Sequence, residues 1–126
     1  MDTIGSSLSA EELEFCISAL QLKIEDIERD LQENKHSNEE KETMMTRMKH
    51  LDQIQDEFLL KNNAFQSTDL LQVCQLVEEE RDYLNTILDQ PNAVGEMRRM
   101  AQQHLRTANS VLRKLKKYFY SFGIQL

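Results

Sequence analysis

The side chains best suited to chemistry in this chain of 126 residues are three histidines, two cysteines and one arginine–histidine pair. His36, His50 and His104 lie far apart, and none has the close ligand spacing that a zinc site uses. Cys16 and Cys74 fall inside apolar-periodic segments and also lack metal-ligand spacing. They read as reduced core or flank residues of a reducing compartment, with a disulfide between them as the minor alternative. No metal and no cofactor is assigned. Arg99 and His104 are separated by five positions, and His104 falls on the apolar stripe of its segment. The plainer reading of His104 is a histidine at a helix seam, its nitrogens reaching solvent or a carboxylate.

Other catalytic patterns are absent. The chain has no glycine-rich phosphate loop, no nucleophile elbow and no HExxH. The carboxylates of Glu78-Glu79-Glu80-Arg81-Asp82 point in different directions around a helix, which makes them a solvated face. Glu39 and Glu40 lack the ExxH partners of a di-iron bundle.

The spacing Arg99-x4-His104 resembles the short arginine–histidine signature of the HEPN superfamily. These are small four-helix-bundle proteins that include ribonucleases and nucleotide-binding partners. The resemblance implies proton transfer at His104 and phosphate binding at Arg99. It departs from the family at Met100, where a polar residue often follows the arginine.

Positioning such residues is the task of long helices. Ala10, Leu13, Ile17, Leu20, Ile24, Ile27 and Leu31 alternate in steps of three and four, which lines one helix face with apolar side chains. Val94, Met97, Ala101, His104, Ala108, Val111, Leu115, Tyr118 and Phe122 repeat the pattern near the other end. Only three glycines and one proline interrupt the chain, so its helices can be long. A first helix is expected over 10–34, opened by the capping-box pair Ser9 and Glu12. A second follows over about 38–62, capped by Ser37 or Asn38, with Met44, Met48, Leu51, Ile54 and Phe58 inward. A third spans about 68–89 with Leu70, Val73, Val77, Leu84 and Leu88 inward. After the break at Pro91 a fourth covers about 93–119.

Short connections make sequential helices antiparallel neighbours. The expected fold is therefore all-α: an antiparallel up-down-up-down four-helix bundle with coiled-coil-like packing, in one domain over 1–126. The alternative is a long helical hairpin that dimerises. Segments 1–8 and 120–126 read as flexible or docking tails. Antiparallel order would gather Phe15, Phe58, Phe65, Tyr118, Phe119, Tyr120 and Phe122 at one end, as fillers or as an aromatic docking surface.

Charge is unevenly spread. The net charge is −7, yet from Met97 onward there are seven basic residues and no acidic one. The remainder holds the other eight basic residues against all 22 acidic ones, a balance of −14. The basic face comprises Arg98, Arg99, Arg106, Arg113, Lys114 and Lys117, with Lys116 among them. It pairs internally with acidic helices, or it meets an acidic protein, a membrane surface or nucleic acid. The acidic remainder argues against the last two.

A second apolar line points outward. Leu8, Phe15 and Leu22 are spaced by seven, and Leu76, Tyr83 and Ile87 form a similar line on the third helix. Either the bundle covers these helices on two sides, or Leu8, Phe15, Leu22, Leu76 and Tyr83 bind a partner. No segment is apolar enough for a membrane span, and the first residues lack a secretory or mitochondrial leader pattern. The expected compartment is the cytosol, with nucleus or host cytosol open. The reading reached is a non-enzymatic interaction module that binds another protein or a second copy of itself. The runner-up is a HEPN-like ribonuclease or nucleotide-binding protein using Arg99 and His104.

Overall fold

The computed structural model describes residues 8–33, 35–59 and 67–121. They form four helices: α1 (Ala10–Gln32), α2 (Asn38–Leu59), α3 (Ser67–Leu88) and α4 (Gly95–Ser121). No strand occurs among the described residues. The helices pack as a bundle. α1 touches all three others, α3 and α4 share the most extensive contact, and α1 with α2 comes next.

The helix starts are chemically specified. The Ser9 backbone N–H donates to Glu12 Oε1 at 2.8 Å, and the Glu12 N–H donates to Ser9 Oγ at 3.2 Å. This reciprocal pair satisfies two amides that have no partner inside the helix. Ser37 caps α2, its Oγ accepting from the Glu40 N–H at 3.2 Å. Glu39 and Glu40 occupy the first turn, where the helix dipole favours negative charge. The expected close of the second helix at Asn62 and Asn63, and the side chains of Ser67 and Thr68, lie outside what the structure describes.

The start of α4 is later than expected. Its first residue, Gly95, has φ of 62°, a left-handed conformation that side chains with a Cβ avoid. The turn before it is held by the Ala93 N–H donating to the Gln90 carbonyl at 3.1 Å. Arg98 then reaches back to the Leu88 carbonyl at 3.2 Å, satisfying an acceptor left open at the end of α3. Val94 consequently lies outside the helix, and Val94 and Met97 are exposed rather than lining a core stripe.

One apolar cluster joins all four helices. Cys16, Leu20, Ile24 and Ile27 of α1 meet Leu51, Ile54 and Phe58 of α2, Leu70, Val73 and Val77 of α3, and Val111, Leu115 and Phe119 of α4. Each such side chain, fully buried, contributes about 1.5–3 kcal/mol. The buried stripe of α1 is rotated from the expected one: Glu12, Cys16 and Ala19 are inside, while Ala10 is exposed. Three polar clamps stitch the cluster's margins. Gln55 Nε2 of α2 donates to the Ile17 carbonyl and to Gln21 Oε1 of α1, at 3.2 and 3.0 Å. His50 Nε2 of α2 donates to Asp69 Oδ1 of α3 at 2.9 Å, and Gln72 Nε2 donates to His50 Nδ1 at 3.1 Å. Glu12 of α1 accepts from Lys114 Nζ at 2.6 Å and from Ser110 Oγ at 2.7 Å, both on α4.

The aromatic residues do not all gather on one surface. Phe58 and Phe119 are fully buried fillers, and Phe15 packs instead on His104. Phe65 and Phe122 lie outside the described residues.

Candidate functional site

His104 occupies a seam position on α4 that should be covered, yet it is exposed. The reason lies opposite it. A groove of about 300 Å³ opens between α1 and α4 there, lined by Phe15, Leu22, Glu80 and His104 among others. Phe15 meets the imidazole edge-on, with ring centroids 6.5 Å apart and planes at 67°. A second stretch of about 490 Å³ shares Ala19, Leu22 and Glu80 with the first and continues between α1 and α3 past Leu76 to Tyr83. The two make one continuous furrow.

The lining is apolar with a charged rim. Leu22 is 47% exposed and Tyr83 61% exposed, large side chains that the bundle leaves in water. Glu11 and Glu14 rim one end, while Lys23, Asp26 and Arg29 rim the other. Burial raises the Glu80 carboxyl above its usual range; the charge of His104 acts against this and that of Asp26 with it.

The outward line seen in the sequence therefore splits. Leu8 and Leu76, at 6% and 5% exposed, are core, and for them covering by the same bundle is the outcome. Phe15 is half-buried against the core while facing the furrow, and Leu22 and Tyr83 are exposed within it. Ile87 is half-buried. The segments read as tails are partly structural too: Leu8 is buried, and Tyr120 and Ser121 complete α4.

Arg99 does not join His104. Its guanidinium is mostly in water and grips Glu96 of its own helix at 2.6 and 2.7 Å. It is not among the residues lining the furrow. Five residues advance a helix by well over a full turn, so the two side chains diverge around α4. The paired arrangement that the HEPN resemblance implies is not assembled within this chain.

The other histidines already have hydrogen-bond partners, His36 in α2's first turn and His50 across on α3. His36 Nδ1 lies 2.9 Å from Glu40 Oε2 one turn on, and both ring nitrogens of His50 are occupied. Among the described residues no three metal-ligating side chains converge. Both cysteines are free and buried. Burial pushes the Cys16 thiol up to about 12, with Glu12 adding to it. Burial likewise takes Cys74 to about 11, with the Glu78 charge adding to the rise.

The basic face is only partly neutralised from within. Lys114 pairs across helices with Glu12, while Arg98 and Arg106 bond backbone carbonyls. Arg113, Lys116 and Lys117 instead line a groove with Arg81 of α3. Sequence reasoning did not isolate the Glu12 clamp, the His50 clamp or this groove. The sequence marks Glu12 only as the capping-box partner of Ser9; its inward position follows from the rotated stripe of α1.

No family model matches the chain, and neither a curated protein nor a solved structure matches it. No helix among the described residues is long and apolar enough to cross a membrane.

Proposed function

We infer that the protein is a non-enzymatic interaction module that receives an amphipathic helix of a partner chain in the furrow along α1. One observation carries this reading: exposed Leu22 and Tyr83, with half-buried Phe15 beside them, line an apolar strip on two helices that the bundle's own packing covers only in part. Phe15 and Leu22 stand two helical turns apart, a spacing that suits the i and i+7 anchors of a docked helix. The rim sets orientation. Glu11 and Glu14 favour basic flanks on one end of the incoming helix, and like charges there would repel an acidic one. A second copy of the chain is one form the partner can take, since a two-fold interface reuses one patch.

The test is a paired exchange, Leu22→Glu with Tyr83→Glu. Both side chains are exposed, so helicity and melting temperature should hold while a captured partner, or the dimer seen by light scattering, is lost. Capture and sizing unchanged in the folded double variant would refute the furrow as the docking surface.

A further inference from the structure

We propose that the groove between α3 and α4 is a second docking site, and that it takes a short carboxylate-rich peptide segment with interspersed apolar residues. Arg81 comes from α3, and Arg113, Lys116 and Lys117 come from the far half of α4. The groove measures about 510 Å³. Its cations are not consumed by the fold. Arg81 is shared with the adjacent Asp82 at 3.2 Å, but Arg113, Lys116 and Lys117 make no ion pair with any described residue. Holding like charges together in this way costs free energy by mutual repulsion, and an anion removes that cost.

The chemistry of the lining decides among anions. Leu112, a core residue only 4% exposed, floors the groove, and the accessible apolar surface of the lining is that of Tyr120, 59% exposed. Apolar surface between cations matches a segment that alternates acid with apolar side chains. A polynucleotide backbone offers charge at every step and no aliphatic complement. A membrane plane or a long polyanion would also meet the chain's acidic balance outside α4. A short segment lying in the groove avoids most of it. On α4 these residues occupy the opposite flank of the buried stripe from His104, so the site is independent of the furrow along α1.

The probe is a fluorescein-labelled synthetic peptide alternating glutamate with leucine, read by anisotropy on the full chain. A single-stranded oligothymidylate and vesicles containing phosphatidylserine are run beside it. The acidic peptide should bind, weaken as salt rises, and lose at least about tenfold in affinity in Arg113→Glu with Lys117→Glu. Lys49→Glu, an exposed change on α2, should leave binding as it was. Tyr120→Ala should weaken binding severalfold without altering the salt dependence. Circular dichroism of each variant establishes that the bundle is intact, and the milder pair Arg113→Gln with Lys117→Gln should give an intermediate loss. The proposal is overturned if the charge reversal leaves peptide binding unchanged, if no peptide binds, or if only the oligonucleotide or the vesicles bind.

Discussion

Glu12 shows how a single side chain can be at once a cap and a bridge. Burial alone would raise its carboxyl. The bonds from Lys114, from the Ser9 amide and from the Ser110 and Ser9 hydroxyls outweigh burial and hold it at about 2, against an ordinary 4.5. A depressed folded value means that the stabilisation is fully present above 4.5 and is lost as pH falls toward 2. Glu12→Gln should therefore lower the melting temperature at neutral pH and also flatten the fall of stability between 4.5 and 2. Thermal unfolding followed across that window in both proteins checks it, and parallel acid limbs would refute it. Lys114→Met should cost about 2 kcal/mol, because it strands a buried carboxylate whose partner was itself partly wet. The cysteines give a second expectation at this scale. With thiols near 12 and 11, neither Cys16 nor Cys74 should react with a thiol reagent at mildly alkaline pH until the chain unfolds. Rapid labelling of the native protein would show the burial to be wrong.

At the scale of elements, helix starts carry measurable weight. Ser9→Ala removes one arm of the capping box and should cost about 1 kcal/mol in a urea titration. Gly95→Ala meets no atom within 4 Å of the new Cβ, so its expected cost of about 1–2 kcal/mol comes from backbone conformation alone. A neutral result there would mean that α4 begins with ordinary helical geometry. α4 itself has two flanks outside the core. One carries His104 toward α1, and the other carries Arg113, Lys116 and Lys117 beside α3. Between them run Ala108, Val111, Leu115 and Phe119, which tie the helix to the core.

For the whole molecule the apolar cluster is shared by all four helices, so they should unfold together. Phe58→Ala should cost about 3–5 kcal/mol while leaving one transition, with circular dichroism and cysteine labelling coinciding. Separate transitions would mean that α2 is not part of the cooperative unit. The uneven charge also has a whole-molecule meaning. A basic flank on an otherwise acidic body would, on the proposed reading, steer acidic segments to the groove between α3 and α4 and basic-flanked helices to the furrow along α1.

Periodicity alone was enough to show that these residues form four helices, because apolar side chains at steps of three and four can be buried together only on a helix face. Local chemistry likewise announced the Ser9–Glu12 box and the breaks near Ser37 and Pro91, since capping bonds span only a few residues. Which side of each apolar line would be covered was a tertiary decision. Leu8 and Leu76 went inside and Leu22 and Tyr83 stayed out, because coverage depends on where a neighbouring helix lies, which no single helix encodes. The same reason separates Arg99 from His104, brings Lys114 to Glu12 across 102 residues, and leaves three cations of α4 in an open groove.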